Sequence, residues 1–206
     1  MRKAFHKVVL VGSAGSGKSA LVCKKLWPKT PLDHFYQSTI GIDYVQLAVR
    51  SLADNKLRHI ELWDTAGQER YAVLISTYIR NTQVACVAYD ITNRSTFEAV
   101  DKYMEMLREH DIAPDRIIIV ATKLDLIDLR EIAKTEGAAK AAEYGCMFTE
   151  TSASEGWHID ELFATIAALL PPNTNATTII DGVQPELIPF DAITTQEKPP
   201  ACCWLM

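Results

Sequence analysis

Unbroken apolar runs separated by amphipathic stretches dominate the chain. Val8-Val9-Leu10-Val11, Val84-Ala85-Cys86-Val87-Ala88-Tyr89 and Ile117-Ile118-Ile119-Val120-Ala121 have no polar alternation, as expected of parallel strands buried on both faces. Cys146-Met147-Phe148 reads as a short last strand. Residues 42–52 instead alternate, with Val45, Leu47 and Val49 inward. Asp54-Asn55 then predicts a turn, and residues 57–63 return with Ile60 and Leu62 on the inner face, giving an antiparallel hairpin. Between the strands lie helical stripes. Leu21, Val22 and Leu26 mark a helix over 18–27, and residues 134–144 form another. Ser95-Thr96-Phe97-Glu98 has the form of a capping box, opening a helix striped by Phe97, Val100, Met104 and Leu107. Ile159, Leu162, Phe163, Ile166 and Leu169 stripe the last helix. Residues 27–41 carry Pro28 and Pro31 without periodicity and read as a surface loop. Strand–helix alternation of this kind predicts an α/β fold, a doubly wound, mostly parallel six-stranded sheet with one antiparallel edge hairpin. Ligands of such sheets bind beyond the carboxyl ends of the strands.

Composition narrows the picture. The 206 residues are 48% hydrophobic and 23% charged, with a net charge of −5. Without a basic run, a nucleic-acid role is disfavoured. No stretch is long enough to span a bilayer, and the N-terminal apolar run is too short for a signal peptide, so a cytosolic protein is expected. Cys23, Cys86 and Cys146 fall inside apolar patterns and are expected to be buried and reduced. Pro171-Pro172 ends the last helix, and the remainder is rich in Pro, Thr, Asn and Ala without periodicity. The expected division is therefore a folded domain over 1–172 and a flexible tail over 173–206.

The chemistry sits where the runs end. Gly12-Ser13-Ala14-Gly15-Ser16-Gly17-Lys18-Ser19 fits G-x-x-x-x-G-K-[ST], the phosphate-binding P-loop, in its strand–loop–helix context. Its glycines let backbone N–H groups face phosphate oxygens, and the helix start adds its dipole. Lys18 then reaches the β- and γ-phosphates, and the Ser19 hydroxyl ligates magnesium. Asp64-Thr65-Ala66-Gly67-Gln68 follows the next strand. Asp64 can hold the metal through a water, and Gly67 lets a backbone N–H approach the terminal phosphate. In Thr122-Lys123-Leu124-Asp125, the Asp125 carboxylate accepts two parallel N–H bonds, which suits guanine and rejects adenine. Thr151-Ser152-Ala153 offers a backbone N–H to the guanine O6.

Together these motifs resemble the Ras superfamily of small GTPases over roughly residues 5–170, and within it the Rab family. Trp63-Asp64-Thr65-Ala66-Gly67-Gln68-Glu69-Arg70 matches the Rab second switch nearly letter for letter, and Ser38-Thr39-Ile40-Gly41-Ile42-Asp43 looks like the first switch. Tyr78-Ile79-Arg80 and Tyr89-Asp90-Ile91-Thr92-Asn93 are similar to Golgi-associated Rabs. The resemblance implies a small G domain that binds GTP or GDP with Mg2+. Its nucleotide site would take in Ser13 through Ala20, with Thr39, Gly67, Thr122, Lys123, Asp125, Ser152 and Ala153. Thr39 would ligate magnesium beside Ser19 and Asp64 and sense the γ-phosphate. Gln68 would position the attacking water, with Lys18 and Gly67 at the phosphate. Effectors would read Ile40, Gly41 and the aromatic triad Tyr44, Trp63 and Tyr78. The implied partners of this monomer are an exchange factor, a GTPase-activating protein, effectors and the prenylation machinery.

Departures from the family pattern sharpen the reading. Thr122 replaces the usual asparagine, and its hydroxyl can still tie that loop to the P-loop. Ala14 puts a methyl group where the attacking water must fit. Ala72 stands where Rabs often carry arginine. The chain ends Cys202-Cys203-Trp204-Leu205-Met206, and its last four residues fit C-a-a-X. The tail has Lys198 against Asp181, Glu186, Asp191 and Glu197, so no polybasic helper exists and a second lipid is expected. That means two geranylgeranyl groups, or a prenyl on Cys203 with an acyl on Cys202. The leading expectation is a slow GTPase switch in vesicle trafficking, on the cytosolic face of an internal membrane. A GTP-locked adaptor, blocked by Ala14, is the alternative, and Asp125 disfavours an ATPase or kinase.

Overall fold

The computed structural model describes residues 5–30, 42–65 and 78–171. The strands are β1 (His6–Val11), β2 (Ile42–Arg50), β3 (Leu57–Thr65), β4 (Val84–Asp90), β5 (Ile117–Thr122) and β6 (Met147–Glu150). They form one six-stranded sheet in the order β2-β3-β1-β4-β5-β6. Only β2 runs antiparallel to its neighbour; β1 pairs parallel with β3 and β4, and β5 with β4 and β6. Among the described residues the helices of the α class are α1 (Lys18–Leu26), α2 (Arg94–Glu98), α3 (Val100–Glu109), α4 (Lys134–Tyr144) and α5 (Ile159–Leu169).

The apolar runs are buried because helices cover both faces. On one face Val8, Leu10, Ile60, Leu62, Cys86, Ile118 and Val120 pack with Leu21 of α1 and with Leu162, Phe163 and Ile166 of α5. On the other, Val9, Val11, Ala85, Val87, Ile117 and Ile119 meet Phe97, Val100, Met104 and Leu107, with Ala141 of α4. Successive β1 residues thus point to opposite cores, the two-residue period of a strand. The switch between outward and inward order falls at β1, whose neighbours are β3 and β4. That places the end of β1 and the loops after β3, β4, β5 and β6 along one edge of the sheet.

Several expectations are corrected in detail. The helix near residue 95 is capped by Asn93, whose side chain accepts from Ser95 N–H at 3.0 Å, not by a box starting at Ser95. Thr96 is instead drawn inward, its hydroxyl donating to Asn93 C=O at 2.8 Å. The element breaks at Ala99, so one striped helix becomes α2 and α3. Thr96 Oγ1 also accepts from Asp90 N–H at the end of β4 at 3.0 Å, as a buried hydroxyl must find partners. The last strand begins at Met147, leaving Cys146 before it. Cys86 is buried, but Cys23 and Cys146 are only partly so; among the described residues none of the three is in a disulfide.

One glycine in a helix has a packing reason. A Cβ on Gly137 would lie 2.3 Å from the Tyr89 hydroxyl and 2.7 Å from the Phe148 ring. Only hydrogen fits where α4 crosses the sheet, so the propensity cost of a helical glycine is accepted there.

Candidate functional site

The loop after β1 is shaped by two backbone constraints. Gly12 has φ 145°, and a Cβ there would meet Ala88 C=O of β4 at 2.3 Å. Gly17, the residue before α1, has φ 83° and faces Thr122 Oγ1, which a Cβ would approach to 3.0 Å. Both positions therefore require glycine. The loop curls round the Lys18 ammonium, which donates to Gly12 C=O and Ser13 C=O at 2.8 Å each and to Ser16 Oγ at 3.3 Å. Burial pushes Lys18 down to about 8, with Asp64 pulling the other way. A cation held so against its solvation has unmet demand for negative charge. Ala14 and Gly15 are exposed at the loop's crest, and Ser19 and Ala20 are half-buried on the first turn of α1.

Register brings Asp64 to this loop. Leu10 of β1 pairs with Asp64 of β3, and Thr65 Oγ1 donates to Leu10 C=O at 2.7 Å. Asp64 is buried, and with the Ser19 hydroxyl it offers hard oxygen ligands of the kind magnesium prefers. The donor set fits that ion. Thr39, Gly67, Gln68, Ile40, Gly41 and Ala72 lie outside the described residues, as do Cys202 and Cys203.

The loops after β5 and β6 form the second half. Thr122 Oγ1 donates to Ser16 C=O at 2.9 Å and lies 3.0 Å from Tyr89 C=O. The threonine thus ties this loop to the P-loop, as its hydroxyl suggested. Lys123 takes a left-handed backbone with φ 60°. Leu124 N–H donates to Thr151 C=O at 3.0 Å, clamping the two loops together. Ser152 Oγ donates to Asp125 Oδ1 at 2.5 Å and fixes that carboxylate. The expectation for Ser152 is narrowed here: its N–H donates to Trp157 C=O at 3.1 Å, closing the turn. The backbone donor left for a ligand is that of Ala153.

The aromatic residues also converge. Tyr44 and Trp63 are directly opposed across β2 and β3 and stack at 5.4 Å, and Tyr78 lies 5.8 Å from Trp63. Lys7 adds a member the sequence did not suggest, its ammonium 4.5 Å from the centre of the Trp63 ring.

Asp90 was missed as a site residue. It ends β4 and is buried, with Oδ2 2.6 Å from Lys123 Nζ. The signal was the same as for Asp64, a carboxylate at the carboxyl end of a buried strand.

Compared with known protein families, residues 7–171 match the model of the Ras family.

Proposed function

The chain belongs to the Ras family, and from that premise we propose a Rab-type switch controlled by GTP and GDP. Ras-family members are small GTPases that bind guanine nucleotides and work with exchange factors, GTPase-activating proteins and effectors. The observation that carries the nucleotide reading here is the shared edge. Lys18 is held by the P-loop carbonyls, while Thr122 bonds the P-loop to the loop bearing Asp125. Phosphate and base sites are thereby fixed at a set separation.

The residues divide the work by chemistry. Ser13 to Ala20 cradle the phosphates with backbone N–H groups and the Lys18 ammonium. Asp125, oriented by Ser152, accepts from the guanine edge, and the Ala153 N–H donates to O6. Ser19, Asp64 and Thr39 would hold magnesium, which when bound neutralises charge on the phosphate oxygens. Gln68 orients the attacking water and Gly67 N–H meets the terminal phosphate, which makes the loops of Thr39 and Gly67 the switching elements. The sequence offers no obvious arginine finger in cis, so turnover would be slow and depend on a partner.

Support for the Rab assignment comes from the residue 63–70 motif and from the Tyr44–Trp63–Tyr78 cluster, the surface for effectors. The tail over 173–206 carries two lipids on Cys202 and Cys203 and seats the 1–172 domain on the cytosolic face of an internal membrane. Among the described residues no helix is long and apolar enough to cross a membrane. Ala14, exposed on the P-loop, favours a second reading, a GTP-locked adaptor with little hydrolysis.

Denaturing freshly purified full-length protein and identifying the released nucleotide tests the reading. Guanine nucleotide near one per chain is expected, and adenine nucleotide or none refutes it. Turnover with and without a GTPase-activating protein then separates switch from adaptor.

A further inference from the structure

Asp90 has an arrangement that strand packing does not explain. A buried carboxylate is costly unless paired, and this one is fully engaged. Oδ1 accepts from Thr92 N–H at 2.8 Å and from Thr92 Oγ1 at 2.7 Å. Oδ2 faces Lys123 Nζ at 2.6 Å, with the lysine side chain 36% exposed and the aspartate 6%. The carboxylate is thus immobilised by its own turn before it meets the lysine. It is a preset anchor, and the flexible partner is Lys123.

Lys123 matters because of where it stands. It is the left-handed residue between Thr122, bonded to the P-loop, and Asp125, the base acceptor. Leu126 N–H donates to Lys123 C=O at 2.9 Å, so lysine and Asp125 share one tight turn. A loose ammonium in that turn has a competing carboxylate two residues away, and pairing there would occupy the oxygens that guanine needs. On the described residues Asp125 is engaged only by Ser152 Oγ at 2.5 Å, leaving acceptor capacity for a ligand.

We infer that Asp90 is a positioning residue for guanine-nucleotide binding, acting through Lys123. It draws the ammonium to the β4 side, keeps it off Asp125, and holds the lysine methylenes in a fixed wall beside the base. The inference rests on the nucleotide reading above, and the two fail separately: that reading fails in the parent protein, this one only in the variants.

The experiment is release of a fluorescent GDP analogue from full-length protein, chased with excess GDP in magnesium buffer. Asp90→Asn keeps an oxygen for Thr92 and removes the charge, so release should quicken about three- to tenfold. Asp90→Glu should recover much of the slow release. Lys123→Met should quicken release by at least as much, and adding Asp90→Asn to it should change the rate by less than about twofold. Unchanged release in Asp90→Asn or in Lys123→Met overturns the inference. So does an Asp90→Asn effect of full size in the Lys123→Met background, since the aspartate would then act by another route.

Discussion

Lys18 makes the site's affinity depend on pH in a direction that can be worked out. Burial lowers it from 10.5 to about 8. A shift of that size is worth about 3 kcal/mol as an upper bound. A lysine depressed in the folded protein works against folding: the cost is full below about 8 and fades as pH rises through about 8 towards 10.5. Phosphate beside Nζ reverses the balance, because an anion favours the ammonium. Binding must then take up a proton wherever the protein alone has lost one. If phosphate restores the ordinary value, uptake is about 0.7 proton per nucleotide near pH 8.5, and affinity falls about eightfold between pH 7.5 and 9. Titration calorimetry of GDP with magnesium, in two buffers of different ionisation enthalpy, counts the protons. Guanine loses its own N1 proton farther up, so the window stops near pH 9. No proton uptake, or flat affinity across the window, would show that the ammonium does not meet the phosphates.

Three further expectations address other links. Asp125→Asn replaces an acceptor by a donor at the base, so GTP binding should weaken by about 2–4 kcal/mol while xanthine nucleotides gain; competition binding reads both, and unchanged GTP affinity refutes the base contact. Gly137→Ala forces a methyl group into the Tyr89 hydroxyl and the Phe148 ring. It should cost about 1–3 kcal/mol in urea unfolding with GDP present, and a neutral result would mean α4 shifts freely. Gln68→Leu should abolish most single-turnover hydrolysis with GTP affinity nearly intact, because the amide acts on water rather than on the ground state; Ala14→Gly should not slow hydrolysis, and a slower rate would refute the steric argument for Ala14.

Local pattern was enough for the frame. Unbroken runs such as 84–89 can only be buried on both faces, and β2 with β3 alternates because the pair sits at the sheet's edge. The P-loop was equally legible, since glycine at Gly12 and Gly17 answers to backbone geometry within a few residues. Asp64 and Asp125 are named as candidates by the motifs D-x-x-G and T-K-x-D, which fall near the carboxyl ends of β3 and β5. What the sequence could not show depends on groups far apart along the chain. Thr122 meets Ser16 across 106 positions, and Ser152 meets Asp125 across 27. Those pairs exist only once strand order is settled, and strand order follows from packing two helical layers rather than from any local signal. The cap is a local exception: Ser95 had the right spacing, but Asn93, two residues earlier, supplies the cap and Thr96 bonds back to Asp90 at the end of β4. Lys7 beneath Trp63 and Asp90 against Lys123 are products of register. The candidate site residues are named by short motifs, and for those described, how firmly each is held was decided by the neighbours the sheet brings to it.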